Sequence, residues 1–86
     1  MKAVLTFSNG DILELCENQL IVPISQITLN DGISVAKGDV YEVWYHSDDA
    51  FIPSVCELIS RCDFFYLVEN PNKVYNSKSI VSIENL

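Results

Sequence analysis

His46 stands just ahead of Asp48 and Asp49, the one place in the chain where an imidazole and carboxylates cluster. Together these groups can ligate a metal or move protons, because histidine changes charge near neutral pH and carboxylates are good metal donors. Either task also needs a placed nucleophile or an open coordination position. The chain has no glycine-rich phosphate loop, no G-x-S-x-G elbow and no H-E-x-x-H, and its three glycines fall in expected turns. A histidine at a strand end followed by an acidic loop then reads as a solvated turn. The residues point away from catalysis and call for no metal and no cofactor.

Cys16, Cys56 and Cys62 are an odd set without C-x-x-C spacing. Neither a disulfide framework nor a zinc ribbon follows, and reduced packing thiols are the simplest account.

The aromatic residues carry more information. Of nine Phe, Tyr and Trp side chains, seven lie between Tyr41 and Tyr66, interleaved with Glu42, Asp48, Asp49, Glu57 and Asp63, and Arg61 is the only base among them. Tyrosine and tryptophan bury a large area while keeping a polar end, which suits them to binding hot spots. Tyr41, Trp44, Tyr45, Asp48 and Asp49 are therefore the expected partner-binding residues. The competing reading places Tyr41, Val43 and Tyr45 in the core with the acids as its solvated rim.

Twelve acidic residues against five basic ones leave a net charge of -7. Phosphate backbones and headgroups are repelled by such a surface, so direct nucleic-acid binding is not expected, whereas a basic protein partner is favoured. The opening Met1 to Phe7 run is too short for a signal peptide, and no eighteen apolar residues follow one another, which sets the expectation of a cytoplasmic protein without membrane contact. Apolar residues make up 49% of the chain and charged ones 20%, a globular balance, and 86 residues suffice for one core and one domain spanning 1–86.

The elements that must hold these residues begin with a hairpin. Two extended runs, Lys2 to Ser8 and Asp11 to Glu17, meet at Asn9-Gly10, the dipeptide suited to a two-residue type I′ turn. That turn would set Phe7 opposite Ile12, Leu5 opposite Glu14 and Ala3 opposite Cys16 on one face, with Thr6, Val4 and Lys2 opposite Leu13, Leu15 and Glu17 on the other. Both faces then carry apolar residues and need cover, from a helix, a second sheet or another subunit, the last of which would make the hairpin a homo-oligomer surface.

Leu20-Ile21-Val22-Pro23-Ile24 is either an edge strand or an irregular crossing. Asn30-Asp31-Gly32 has the composition of a three-residue hairpin loop between Ile27–Leu29 and Ile33–Ala36. Alternation over Asp39 to His46 predicts a strand. Ser54-Val55-Cys56-Glu57 fits a capping box, and the stripe Val55, Leu58, Ile59, Cys62 predicts one helix over 54–62. Phe64 to Glu69 and Ser79 to Glu84 read as strands, with a turn at Asn70 to Lys73 and Val74-Tyr75 extending the hairpin. The expected fold is mainly β (α+β): a small SH3-like barrel or a strongly bent antiparallel sheet of about six strands with one short helix.

Two resemblances follow from particular stretches. Val35-Ala36-Lys37-Gly38-Asp39-Val40-Tyr41-Glu42-Val43 resembles the diverging turn of SH3 domains, and Ile52-Pro53-Ser54 their proline-serine segment. This covers about a quarter of the chain; the gap from Gly38 to Pro53 is too short for the distal hairpin, and the paired tryptophans and ALYDY-type strand are absent, so it implies architecture and not a proline-peptide ligand. In size, charge, the opening Leu5-Thr6-Phe7-Ser8-Asn9-Gly10 and the closing Ser79-Ile80-Val81-Ser82-Ile83-Glu84-Asn85, the whole resembles small acidic accessory proteins of phages and prophages of Gram-positive bacteria. Some of these block host defence systems.

The leading expectation is a non-enzymatic protein-interaction or inhibitor module. The alternatives are a nucleotide-signal sponge with an intersubunit pocket, and a structural subunit of a larger assembly.

Overall fold

The computed structural model describes all 86 residues. The chain is mainly β, with one short helix and two antiparallel sheets, one of them curled into a half-barrel. Of the two architectures expected, the bent antiparallel sheet is the closer description. The first sheet contains β1 (Ala3–Phe7), β2 (Ile12–Leu15) and β8 (Ile80–Asn85), with β1 in the centre. In the second, β4 (Gly32–Lys37), β3 (Leu20–Leu29), β6 (Phe64–Leu67) and β7 (Asn70–Asn76) lie in that order, and β5 (Tyr41–Glu42) also pairs with β3. Helix α1 (Ile52–Arg61) stands between β5 and β6 in the chain.

The opening hairpin forms, but one residue out of the expected register. Val4 pairs with Glu14, Leu5 with Leu13 and Ala3 with Leu15. Gly10 N–H donates to the Phe7 carbonyl and Phe7 N–H to the Asp11 carbonyl, so three residues occupy the loop, with Gly10 alone at φ +91°. This is a turn plus bulge in place of the type I′ turn. Asn9 reinforces it by accepting Asp11 N–H on Oδ1 at 2.9 Å. A one-residue slip exchanges the faces of a strand relative to its partner. Ala3, Leu5, Phe7, Leu13 and Leu15 consequently share one buried face, whereas Ile12 and Glu14 are exposed. The two-sided apolar hairpin, and with it the reason for an oligomer through this surface, is corrected to an ordinary one-sided hairpin.

The ambiguous segment at Pro23 is the organising strand of the second sheet. Ile21 to Ile24 pair with β6, while the opposite edge of β3 takes β5 at Leu20 and Ile21 and β4 from Ile24 onward. Pro23 falls at the gap between β5 and β4, where its carbonyl accepts Gly38 N–H at 2.8 Å and a missing amide costs no ladder bond. The Val35 to Val43 stretch thus runs from β4 through Gly38 into β5, both strands lying along β3.

Three further expectations change. The strand predicted over 39–46 is confined to Tyr41–Glu42, because its partner β3 begins at Leu20 and Asn18, at φ +68°, turns the chain away. The β3–β4 turn holds two residues, since Leu29 pairs with Gly32, and Gly32 takes φ +133°. Asn70 to Lys73 belongs to β7 and the turn moves to Val68-Glu69, because Leu67 pairs with Asn70; Pro71 is tolerated on an edge strand.

A single cluster of buried side chains joins the sheets and the helix. Ala3, Leu5, Phe7, Leu13 and Leu15 from the first sheet meet Ile21, Phe65 and Leu67 from the second, and Val43, Phe51, Val55, Leu58 and Cys62 close it. Tyr75 stacks between Phe7 and Phe65 at 5.1 and 5.4 Å, linking the sheets by offset aromatic contact. The far end of the β3–β4 hairpin lies outside this core, with every residue from Gln26 to Val40 exposed.

Candidate functional site

Helix α1 starts two residues earlier than the capping-box reading places it. Pro53 sits in the first turn, where its absent N–H is not missed. Ser54 therefore lies inside the helix with its side chain fully buried, and Glu57 is one turn further along. Freed from capping, both side chains turn to the segment after β5.

The result is a compact hydrogen-bond cluster. Trp44 Nε1–H donates to Tyr41 Oη at 2.9 Å and Tyr41 O–H donates to Glu57 Oε1 at 2.9 Å, with the same carboxylate oxygen 3.2 Å from Trp44 Nε1. Ser54 Oγ accepts Trp44 backbone N–H at 3.1 Å and stands 3.1 Å from Tyr41 Oη. Arg61 Nη2 reaches the second Glu57 oxygen at 3.4 Å, one helical turn on. Burial pushes the Tyr41 phenol up, and the Glu57 charge adds to that shift. The hydrogen bond from Tyr41, then that from Trp44, holds Glu57 below the ordinary carboxylate value, with Arg61 helping.

Beyond Trp44 the chain makes a tight loop. His46 and Ala50 exchange both backbone hydrogen bonds, at 2.7 and 2.9 Å, and Ala50 takes φ +53°. His46 Nδ1 accepts from the N–H groups of Asp48 and Asp49, each at 3.2 Å. The imidazole is thus a loop brace, and both aspartates are exposed, with Asp49 Oδ2 3.8 Å from His46 Nδ1. Asn85 at the end of β8 fixes the far side: its Oδ1 accepts Phe51 N–H and its Nδ2 donates to the Asp49 carbonyl.

The five expected binding residues divide accordingly. Trp44 is half-buried, lies 6.3 Å from the His46 ring, and leads directly to the exposed Asp48 and Asp49. Tyr41 supports Trp44 from beneath through its hydroxyl. Tyr45 is 40% exposed and lies edge-on to the buried Phe51 at 5.4 Å, apart from the Trp44 cluster. Sequence reasoning did not include Ser54 and Glu57 in the site. The signal that bears on them is Pro53, which is accepted in a first helical turn; a helix that begins ahead of Ser54 withdraws that serine from capping.

Three surface depressions of about 170, 290 and 230 Å³ are present, below the ~300 Å³ at which pockets enclose drug-sized ligands. The third, lined by Pro23, Gly38, Tyr41, Leu58 and Arg61, borders the cluster. No three His, Cys, Asp or Glu side chains gather as a metal-binding group, and no helix is long and apolar enough to cross a membrane.

Fold and site together define a small mainly-β protein presenting a braced aromatic and acidic segment beside its one α-helix. No family model, curated protein or solved structure matches this chain.

Proposed function

We propose that this protein is a non-enzymatic protein-interaction or inhibitor module that receives a basic partner on Trp44, Asp48 and Asp49. The observation that carries the reading is the bracing of Trp44: Tyr41, Ser54 and Glu57 hold a half-buried indole in one orientation, a few residues ahead of the exposed Asp48 and Asp49. A fixed aromatic anchor loses little conformational freedom on binding, and a rim of carboxylates steers a basic surface toward it. The net charge of -7 extends that attraction across the molecule. Tyr45 enlarges the contact from the Phe51 side.

The resemblance to phage accessory proteins suggests the kind of partner, a host defence protein with a basic surface that the carboxylates occupy. The nucleotide-sponge alternative is less favoured, since a chain of net charge -7 repels a phosphorylated ligand. The test is a comparison of the wild-type chain with Trp44→Ala and Asp48→Ala as bait in a bacterial lysate, followed by reconstitution of any captured protein in purified form. A partner bound by the wild type and released by both variants supports the reading; a partner bound equally by all three removes this surface from consideration.

A further inference from the structure

The β3–β4 arm is independent of the Trp44 surface and leads to a separate conclusion. Gly38 N–H donates to the Pro23 carbonyl, and antiparallel alternation continues outward from that pair. Ala36, Ser34 and Gly32 turn their backbone groups toward β3, so Ile33, Val35 and Lys37 turn theirs away from it. No side chain meets these outward groups, and β4 is the end of its sheet. The opposite edge differs: where β6 stops, Asp63 Oδ2 takes the Gln26 N–H at 2.7 Å and Ser25 Oγ donates to the Arg61 carbonyl.

Natural edge strands are blunted by proline, by a bulge or by a charge set against pairing. β4 has none of these along Gly32 to Ala36. Its one lysine, Lys37, is drawn back over the Tyr66 ring, with Nζ 5.3 Å from the centroid. Ile33 is 71% and Val35 60% exposed, and Ile27 and Leu29 on β3 are exposed as well. A two-stranded arm without a core is marginal by itself, whereas added strands stabilise it.

Charge selects the occupant. Gln26 to Ala36 contains one charged residue, Asp31, in a chain of net charge -7. Two copies repel each other over most of their surfaces and least at this arm, while a basic partner has no carboxylate there except Asp31 to attract it. We propose that β4 pairs antiparallel with β4 of a second copy about a two-fold axis at Val35, joining the two arms into one four-stranded sheet. Such a contact is isologous and closes on itself as a dimer.

The full chain is measured by size-exclusion chromatography with light scattering over rising concentration. The expected mass climbs to about twice the 9.7 kDa of one chain. Val35→Pro removes an outward N–H and no bond to β3, so it should return the mass to one chain with circular dichroism unchanged. Val35→Lys, which keeps the backbone, should do the same and covers the case in which the proline disturbs the arm. Hydrogen exchange at Ile33, Val35 and Lys37 should be slow in the wild-type dimer and fast in Val35→Lys. A wild type that stays monomeric at its highest soluble concentration overturns the proposal. So does a dimer that persists in both folded variants, or a monomer whose arm amides gain protection only against a different protein.

Discussion

The Trp44 segment and the β3–β4 arm both expose large apolar side chains, yet they are held in opposite ways. Trp44 is tied by side-chain hydrogen bonds to Tyr41 and Glu57 and by its backbone to Ser54, and Tyr41, one of its supports, packs against the main core. The arm is held by its own ladder and by contacts at its base: Lys37 on Tyr66, Ser25 on the Arg61 carbonyl, Gln26 on Asp63. An aromatic anchor is useful when fixed in advance, while an edge strand is useful when its backbone groups remain free. The first surface is suited to side-chain recognition and the second to strand pairing.

The sharpest test of this contrast is stability. Phe51 is 2% exposed beneath Tyr45, and Phe51→Ala should cost about 3–5 kcal/mol through lost burial and a residual cavity. Ile33→Ser on the arm should change the stability of the chain by less than about 0.5 kcal/mol under conditions where it is monomeric. Urea denaturation of both variants checks the pair. Similar losses would mean that the arm belongs to the cooperative core.

Within the braced segment, Ser54→Ala should be the next largest effect. The hydroxyl is fully buried and is the partner of the Trp44 backbone N–H, so its removal leaves that donor unsatisfied at about 1–3 kcal/mol. Because the chain has a single tryptophan, an altered Trp44 emission spectrum should accompany the loss. An unchanged spectrum with full stability would show that Ser54 does not position the anchor. Asn85→Ala should follow at about 1–2 kcal/mol, through two hydrogen bonds lost between β8 and the Asp49 to Phe51 turn. Its specific mark should be faster amide exchange at Phe51 with no change at Val35.

Legibility in the sequence tracks how local each feature is. Asn9-Gly10 located the first hairpin, but both a two-residue turn and a three-residue loop with a bulge accept that dipeptide. The choice between them lay in the burial pattern: only the longer loop places Ala3, Leu5, Phe7, Leu13 and Leu15 on one face. The helix was legible from Val55, Leu58 and Cys62, yet Ser54 and Glu57 also satisfied a capping pattern, and that local explanation concealed their long-range bonds to Tyr41 and Trp44. Trp44, Asp48 and Asp49 could be grouped from the sequence because they are neighbours in the chain. The exposed arm was legible as a hairpin but not as a free edge, since what lies beside a strand is set by topology and not by its own residues.

Proton linkage gives the smallest effect and separates the two regions most specifically, because the arm between Gln26 and Ala36 has only Asp31 to titrate. Glu57, lowered by its bonds from Tyr41 and Trp44, stabilises the folded chain fully above the ordinary carboxylate value of 4.5, and that contribution is lost as pH falls through its lower folded value. Tyr41, raised chiefly by burial, acts on the other side: its contribution is complete below 10.0 and is lost as pH rises through the higher folded value. Acid titration of Trp44 fluorescence should therefore show a midpoint below 4.5 while the chain remains folded. Glu57→Gln keeps an oxygen acceptor for both donors but cannot ionise, so the transition should vanish with little change in the neutral spectrum. A midpoint at or above 4.5, or a transition that survives Glu57→Gln, would mean that Trp44 reports on another carboxylate and that its orientation is not set by this bond.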